Sequence, residues 1–225
     1  MRIFCALMLF TAALSSQTKT TAFVQRGNSV AVAAGMGVHL VSAPEIVEYI
    51  NASTIFSQRI DDFGSAVDFF GDIEIPVTEE WGIKIEHSFL FKSYSVPGNG
   101  GGTIDFFYAV QLPSVLVQRI YSGYGYFVKI GAGGGYHFGS AEQRVSTYGV
   151  TTTYTATGIG LKTELVGQTA FDEDVFAYIG GSLGWEFIGD LKEGNGKLLT
   201  RPNTAEGVSL RYFHAGVRFG ITYYL

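Results

Sequence analysis

Tyr212-Phe213-His214-Ala215-Gly216-Val217-Arg218-Phe219-Gly220-Ile221-Thr222-Tyr223-Tyr224-Leu225 alternates without a break to the last residue of the sequence. Phe213, Ala215, Val217, Phe219, Ile221, Tyr223 and Leu225 share one face, while Arg218, the glycines and Thr222 share the other. A period of two marks a β-strand whose faces meet unlike surroundings. Traced backwards, the pattern recurs in segments near 29–41, 64–76, 81–93, 103–112, 123–138, 157–169 and 175–187, and the last segment opens near 207. Across these eight segments the first face, for example Ile83, Ile85 and Phe89 or Ile104, Phe106, Tyr108, Val110 and Leu112, carries no Asp, Glu, Lys or Arg. The second face carries Asp68, Asp72, Glu74, Lys84, Glu86, Lys92, Asp105, Lys129, Lys162, Glu164, Glu186 and Arg218, with many glycines between them. All five prolines read as lying outside strand interiors, where a missing N–H would break a ladder.

Composition agrees with a chain that meets lipid. The 225 residues include 30 Gly, 18 Phe and 13 Tyr, and only 16% are charged, against about 7% Gly and about 25% charged in soluble domains. Beyond the N-terminus no run reaches the roughly 18 apolar residues of a membrane helix, so helical spans are excluded. The net charge of −5 offers no basic stripe for phosphates, which excludes a nucleic-acid partner. Met1 to about Ser16 reads as a secretory signal: Arg2, the apolar stretch Ile3 to Leu14, and Ala13-Leu14-Ser15 as a small-x-small cleavage site. Cys5 falls inside it, so the mature part, 17–225, is read as one barrel domain without disulfides.

Alternation leaves open which face points inward, because a soluble ligand-binding barrel and a membrane barrel share it with opposite polarity. Glycines facing Phe70, Phe107, Phe127, Tyr178, Tyr212 and Tyr224 suit the crowded inside of a narrow barrel, which puts the polar face in the lumen. Connections alternate between long (42–63, 94–102, 139–156, 188–206) and short (77–80, 113–122, 170–174). Long extracellular loops and short periplasmic turns are the habit of bacterial outer-membrane barrels, and the chain is too short for a porin. Oily-face aromatics gather at strand ends: Trp81, Tyr124, Tyr126 and Tyr223 at one rim, Phe91, Tyr136, Phe138, Trp185 and Phe187 at the other.

On these residues, and most specifically on the closing strand, the chain resembles the small outer-membrane β-barrels of the OmpA transmembrane-domain and OmpX type. The resemblance covers most of the mature chain and implies an all-β, eight-stranded, antiparallel, up-and-down transmembrane barrel in the bacterial outer membrane. It implies outer-membrane lipids as surroundings and the barrel-assembly machinery as a partner during biogenesis. Phe219, Ile221, Tyr223 and Leu225 would then be the C-terminal assembly signal, with Leu225 where the family usually ends in Phe or Trp.

Asp72, Lys84, Glu86, Lys129, Lys162, Glu164 and Arg218 form the candidate lumen network, with Asp72 opposite Lys84 if the turn centres on Thr78. Buried charges must be paired, so the network is either a plug or a switchable ion path. His39, His137 and His214 share the lumen face toward the extracellular end, as metal ligands or as mouth residues bonded to loops. His87-Ser88 invites comparison with outer-membrane lipid hydrolases, yet Phe89 occupies the position of the serine and Ser88 faces the other way. No catalytic residue, cofactor or metal is therefore expected. The first long loop opens with a capping-box pattern, Ser42-Ala43-Pro44-Glu45, and then carries Ile46, Tyr49, Ile50 and Phe56. These apolar residues are either a lid on the barrel mouth or a recognition surface. The functional expectation is a non-catalytic barrel with a closed lumen, supporting the envelope or presenting loops to a surface, host or matrix partner. The alternatives are a barrel that binds or passes a small apolar molecule and a lipid-modifying enzyme.

Overall fold

The computed structural model describes residues 29–53, 59–98, 102–145 and 149–225. The secretory signal read at 1–16 and Phe56 lie outside the described residues. Eight antiparallel strands follow one another round a closed barrel: β1 Ala31–Ser42, β2 Phe63–Pro76, β3 Trp81–Pro97, β4 Thr103–Gly123, β5 Tyr126–Val145, β6 Val150–Ala170, β7 Val175–Asp190 and β8 Ser209–Tyr224. The ring closes between β1 and β8, where Ala31 pairs with Tyr224 and Ser42 with Phe213. Closure leaves no strand edge within the belt, as lipid requires. Among the described residues no helix is long and apolar enough to cross a membrane. The single helix of the described residues, α1 (Pro44–Ala52), lies over the barrel mouth.

The outward face carries the oily residues. Met36, Val38, Phe69, Ile73, Ile85, Val117, Ile130, Leu161, Leu165, Leu183, Val217, Phe219 and Ile221 are all exposed, and both sets of rim aromatics stand on the same surface. Eleven of the twelve charges on the second face point inward. Asp105 does not: it lies outward and accepts a hydrogen bond from Ser95 at 2.7 Å.

The structure corrects the reading of the chain between 94 and 157. Residues 113–122 are not a turn, and 94–97 and much of 139–156 are not loop; β3, β4, β5 and β6 run on into a tall sheet above the belt. The upper part of β6, Val150–Thr157, has β5 as its one strand neighbour, since β7 joins at Gly158, and on its other side only Thr155 is paired, in an isolated bridge to Lys192. In that upper region the faces exchange polarity. Ile104, Phe106, Tyr108, Val110 and Leu112 keep the inward parity of Leu116 and Gln118, and they are buried. Phe107 points outward rather than into the lumen. The physical reason is that parity is fixed by the pleat, whereas polarity follows the solvent: water lies outside this part of the sheet and an apolar core lies inside. Pro113 sits within β4, contrary to the expectation that all prolines avoid strands. The ladder to β5 lapses there, between the pairs Gln111–Phe138 and Val115–Gly134, so its missing N–H breaks nothing.

Above the belt, α1 packs Ile46, Tyr49 and Ile50 against Phe106, Tyr108, Ile188, Leu191, Leu199, Val208 and Leu210 in one apolar cluster. The helix starts with Pro44 in its first turn and no side-chain cap. The capping box is not formed. Ser42 Oγ instead donates to Asp62 at 2.8 Å, and Glu45 accepts the backbone N–H of Ser209 at 2.8 Å.

Candidate functional site

Glycine spacing and strand register build the lumen. A Cβ at Gly160 would lie 2.2 Å from Glu186 Oε2 and 2.3 Å from the His137 ring, and one at Gly216 would lie 2.4 Å from the His39 ring. Small residues on one strand thus make room for charged side chains on the next. The turn between β2 and β3 is centred one residue later than expected, so Asp72 pairs with Glu86 and Glu74 with Lys84. A shift of two in register keeps every side chain on its face, and Lys84 still reaches Asp72 diagonally.

All seven residues of the candidate network face the lumen, and they fall into two groups. In the middle, Lys84 Nζ lies 3.0 Å from each of Asp72 Oδ2, Glu86 Oε2 and Glu164 Oε1. Lys162 Nζ bridges Glu86 and Glu164, the latter at 3.2 Å. Arg218 lies with Nε 2.6 Å from Asp68 Oδ2 as an ion pair, and donates from Nη1 to Glu86 at 2.8 Å and from Nη2 to Ser88 Oγ at 2.8 Å. Glu86 therefore touches three cations. Three cations (Lys84, Lys162, Arg218) face four carboxylates (Asp68, Asp72, Glu86, Glu164) with almost no solvent access, and Lys84 and Arg218 also lie over the Phe70 ring. Below, Lys129 pairs with Glu74 and donates to Tyr224 Oη at 3.1 Å, and Tyr224 donates to Gln168 Oε1 at 2.6 Å. Between the groups Phe70, Tyr178, Val166 and Ala33 pack together. At the end of the barrel that carries the short turns, a water-sized recess of about 10 Å³ is lined by Glu74, Gln118, Lys129 and Tyr224.

Asp68, Glu74 and Glu186 belong to this system although the seven residues singled out by sequence omit them. Their parity was visible, but their partners lie on strands far apart in the chain. The histidines are bonded to lumen side chains rather than to loops. His39 Nε2 lies 3.3 Å from Asp68 Oδ2, the Nδ1 atoms of His39 and His214 are 2.9 Å apart, and His214 Nε2 lies 3.3 Å from Glu186 Oε1. His137 continues the line through Nδ1 to Glu186 Oε2 at 2.5 Å and through Nε2 to Ser114 Oγ at 3.2 Å. The ring nitrogens thus spread along a chain of hydrogen bonds instead of converging on one point. Among the described residues no group of three metal-ligating side chains is placed to hold an ion. His87 and Ser88 part as their parity dictates: His87 faces out, while Ser88 donates inward to Glu86 Oε1 at 2.6 Å.

The seal above the charges is apolar. Ile46 and Ile50 are fully buried and Tyr49 nearly so, donating from its hydroxyl to Gln143 Oε1 at 2.9 Å. As candidates for an exposed contact surface these three are corrected: they form the underside of a lid, because an apolar helix face over a barrel mouth gains more by covering the mouth than by meeting water. Arg201 ties the last long loop to the helix through Glu45 and Glu48, at 3.6 and 3.0 Å.

Neisserial surface protein A has a similar structure: 87% of this chain and 97% of that one superpose with a TM-score of 0.53 at 10% identity. A major outer membrane protein from Thermus thermophilus gives a TM-score of 0.50 at 12% identity, over 87% of this chain and 99% of its own. The fold is that of the small outer-membrane β-barrels. At such identities the likeness of this barrel to its neighbours is one of fold. No family model matches the sequence, and no curated protein matches it. Phe219, Ile221, Tyr223 and Leu225 stand together on the outward face of the small barrel's last strand.

Proposed function

We propose that this protein is a non-catalytic, non-conducting barrel of the bacterial outer membrane that acts through the surface it presents outside the cell, in adhesion, in binding, or in holding the envelope together. One observation carries the reading: the lumen is filled across its section by paired charges and is covered from above by α1 and the last long loop. A pathway needs polar groups that can leave their partners, whereas here each central cation is held by two or more oxygens. What remains available to a partner is the tall sheet of β3 to β6, with its outward threonines 151, 153 and 155, and the loops above it. On this reading residues 1–16 are removed on export, and the barrel-assembly machinery reads Phe219, Ile221, Tyr223 and Leu225. The competing idea, a barrel that binds or passes a small apolar molecule, finds its natural entrance occupied by Ile46, Ile50, Leu199 and Leu210.

The test combines two measurements. Reconstituted protein in a planar bilayer should show no steady openings. Cells carrying a version lacking the tip of the 191–208 loop, or the β5–β6 tip, should lose attachment to host cells or matrix while keeping a folded, heat-shifting barrel. Steady conductance, or fatty-acid uptake that does not depend on the loops, would sink the proposal.

A further inference from the structure

The row of lumen histidines is seated with more care than a plug of paired charges needs. Each ring lies against a glycine of the adjoining strand: a Cβ would fall 2.4 Å from the His39 ring at Gly216, 2.0 Å from His214 Nε2 at Gly184 and 2.3 Å from the His137 ring at Gly160. The glycines thus fix where each imidazole sits, and all three rings are buried. His39 stands on the first strand and His214 on the last, in neighbouring rows of the seam, since His39 pairs with Gly216 and His214 with Val41. Their contact bridges the line along which the barrel closes.

Protons can be counted from these positions. The Nδ1 atoms of His39 and His214 face each other at 2.9 Å, and one proton must lie between them. The two outer nitrogens each face a carboxylate at 3.3 Å, His39 Nε2 toward Asp68 Oδ2 and His214 Nε2 toward Glu186 Oε1. A bare ring nitrogen there would set a lone pair against an anion, so each needs a proton of its own. Three protons are required, whereas two neutral imidazoles carry two. The charges agree. Asp68 already has Arg218 Nε at 2.6 Å, but among the described residues buried Glu186 has neither Lys nor Arg in reach, only His137 and His214. A buried carboxylate without a cation is strongly disfavoured. His137 meets its contacts while neutral, with one proton on Nδ1 toward Glu186 and Nε2 accepting from Ser114 Oγ at 3.2 Å. His214 is the ring beside Glu186 of which both nitrogens must donate.

We propose that His39 and His214 form a proton-operated latch on the closing seam: together they hold one proton more than two neutral rings, with His214 as the imidazolium, and the seam is fully fastened at this level only while that proton is bound. The groups that face the pair are Asp68 on β2, Glu186 on β7, and Arg218 and Tyr212 on β8, with His137 on β5 reached through Glu186. Glu86 on β3 and Lys162 on β6 stand one step further, behind Arg218, and Tyr108 on β4 stands behind Tyr212. Loss of the proton leaves a bare nitrogen against Asp68 or Glu186 and loosens β1 from β8. The loosening falls directly beneath the lid, because Tyr212, its ring 5.6 Å from that of His214, belongs to the apolar cluster under α1. Histidines of an unfolded chain are neutral above about pH 6.5. The closed barrel therefore binds a proton there that the unfolded chain lacks, and its stability falls as pH rises until the latch lets go.

Two measurements on the whole refolded barrel test the latch. In nitrogen NMR of the barrel with isotope-labelled histidine, in micelles near pH 7, a coupling across the Nδ1–Nδ1 hydrogen bond should pick out the pair, one ring protonated on both nitrogens and the other on Nε2 alone. Two rings with one proton each, or no such coupling, would overturn the proposal, and this reading needs no variant. The second measurement is the folding constant in lipid vesicles, followed by denaturant titration of the parent and of His39→Leu, in which His214 has no ring to share with and needs one proton only. Between about pH 7 and 9 the constant of the parent should fall relative to that of the variant by about tenfold or more, the signature of one proton released. A ratio that stays constant over that range would sink the latch, as would a ratio that moves the other way.

Discussion

Arg218 shows how much one lumen residue carries. It is 1% exposed, lies on the closing strand and reaches Asp68, Glu86 and Ser88 on two others. Replacing it with Met would leave two carboxylates short of a cation in a dry site. The expected loss is about 3–5 kcal/mol, read as a lower denaturant midpoint for the barrel refolded in lipid. A midpoint within experimental error of the parent would mean that water reaches the lumen. Gly135 and Gly71 make a matched pair at the same scale. Gly135→Ala should prevent closure, because its Cβ would fall on the Pro113 carbonyl, whereas Gly71→Ala should leave the heat-shifted band unchanged.

At the scale of elements, α1 behaves as a piece of soluble protein set on a membrane barrel. Burial pushes the Tyr49 phenol up from 10.0 to about 12. Burial would also raise the Glu45 carboxyl, but the Ser209 amide and Arg201 outweigh it and hold that group below its ordinary 4.5. A depressed acid contributes fully above its ordinary value and loses its contribution as pH falls through the lower, folded value. A raised phenol contributes fully below 10 and loses its contribution as pH climbs through about 12. The protection factors of the α1 amides, taken against the intrinsic exchange rate at each pH, should therefore be high and flat between about pH 4.5 and 10 and fall on either side; a drop in protection near neutrality would contradict the assignment. Tyr49→Phe should cost about 1 kcal/mol of this local protection. Which parts of the chain were legible follows the same division. In β1, β2, β7 and β8 each face meets one medium along most of its length, and alternation identified both strand and orientation. In β4 the medium changes halfway, so Ile104 to Leu112 carried the oily pattern while pointing inward, and Pro113 imitated a boundary. The seven network residues were legible by parity, whereas the contacts of Glu86 with Lys84, Lys162 and Arg218 were not, because they join strands that sequence spacing cannot relate.

For the whole molecule the charged plug and the apolar lid are separate obstacles in series. Substituting Ile46 and Ile50 together with Asp should detach the helix, exposing the mouth to protease, yet a planar bilayer should still record no steady openings, since the charges beneath remain paired. Conductance in that variant would assign the closure to α1 alone. The exchange of polarity along β4 has a last consequence. Its lower half is built like a soluble protein turned inside out, and its upper half like an ordinary one, so the level at which the two meet acts as a waterline written into the chain. Sliding the barrel down would draw Asp105 and its neighbours toward oil, and sliding it up would lift the girdle of Trp185 and Phe187 into water. The molecule therefore floats at one height, and a bilayer of different thickness has to adjust to it.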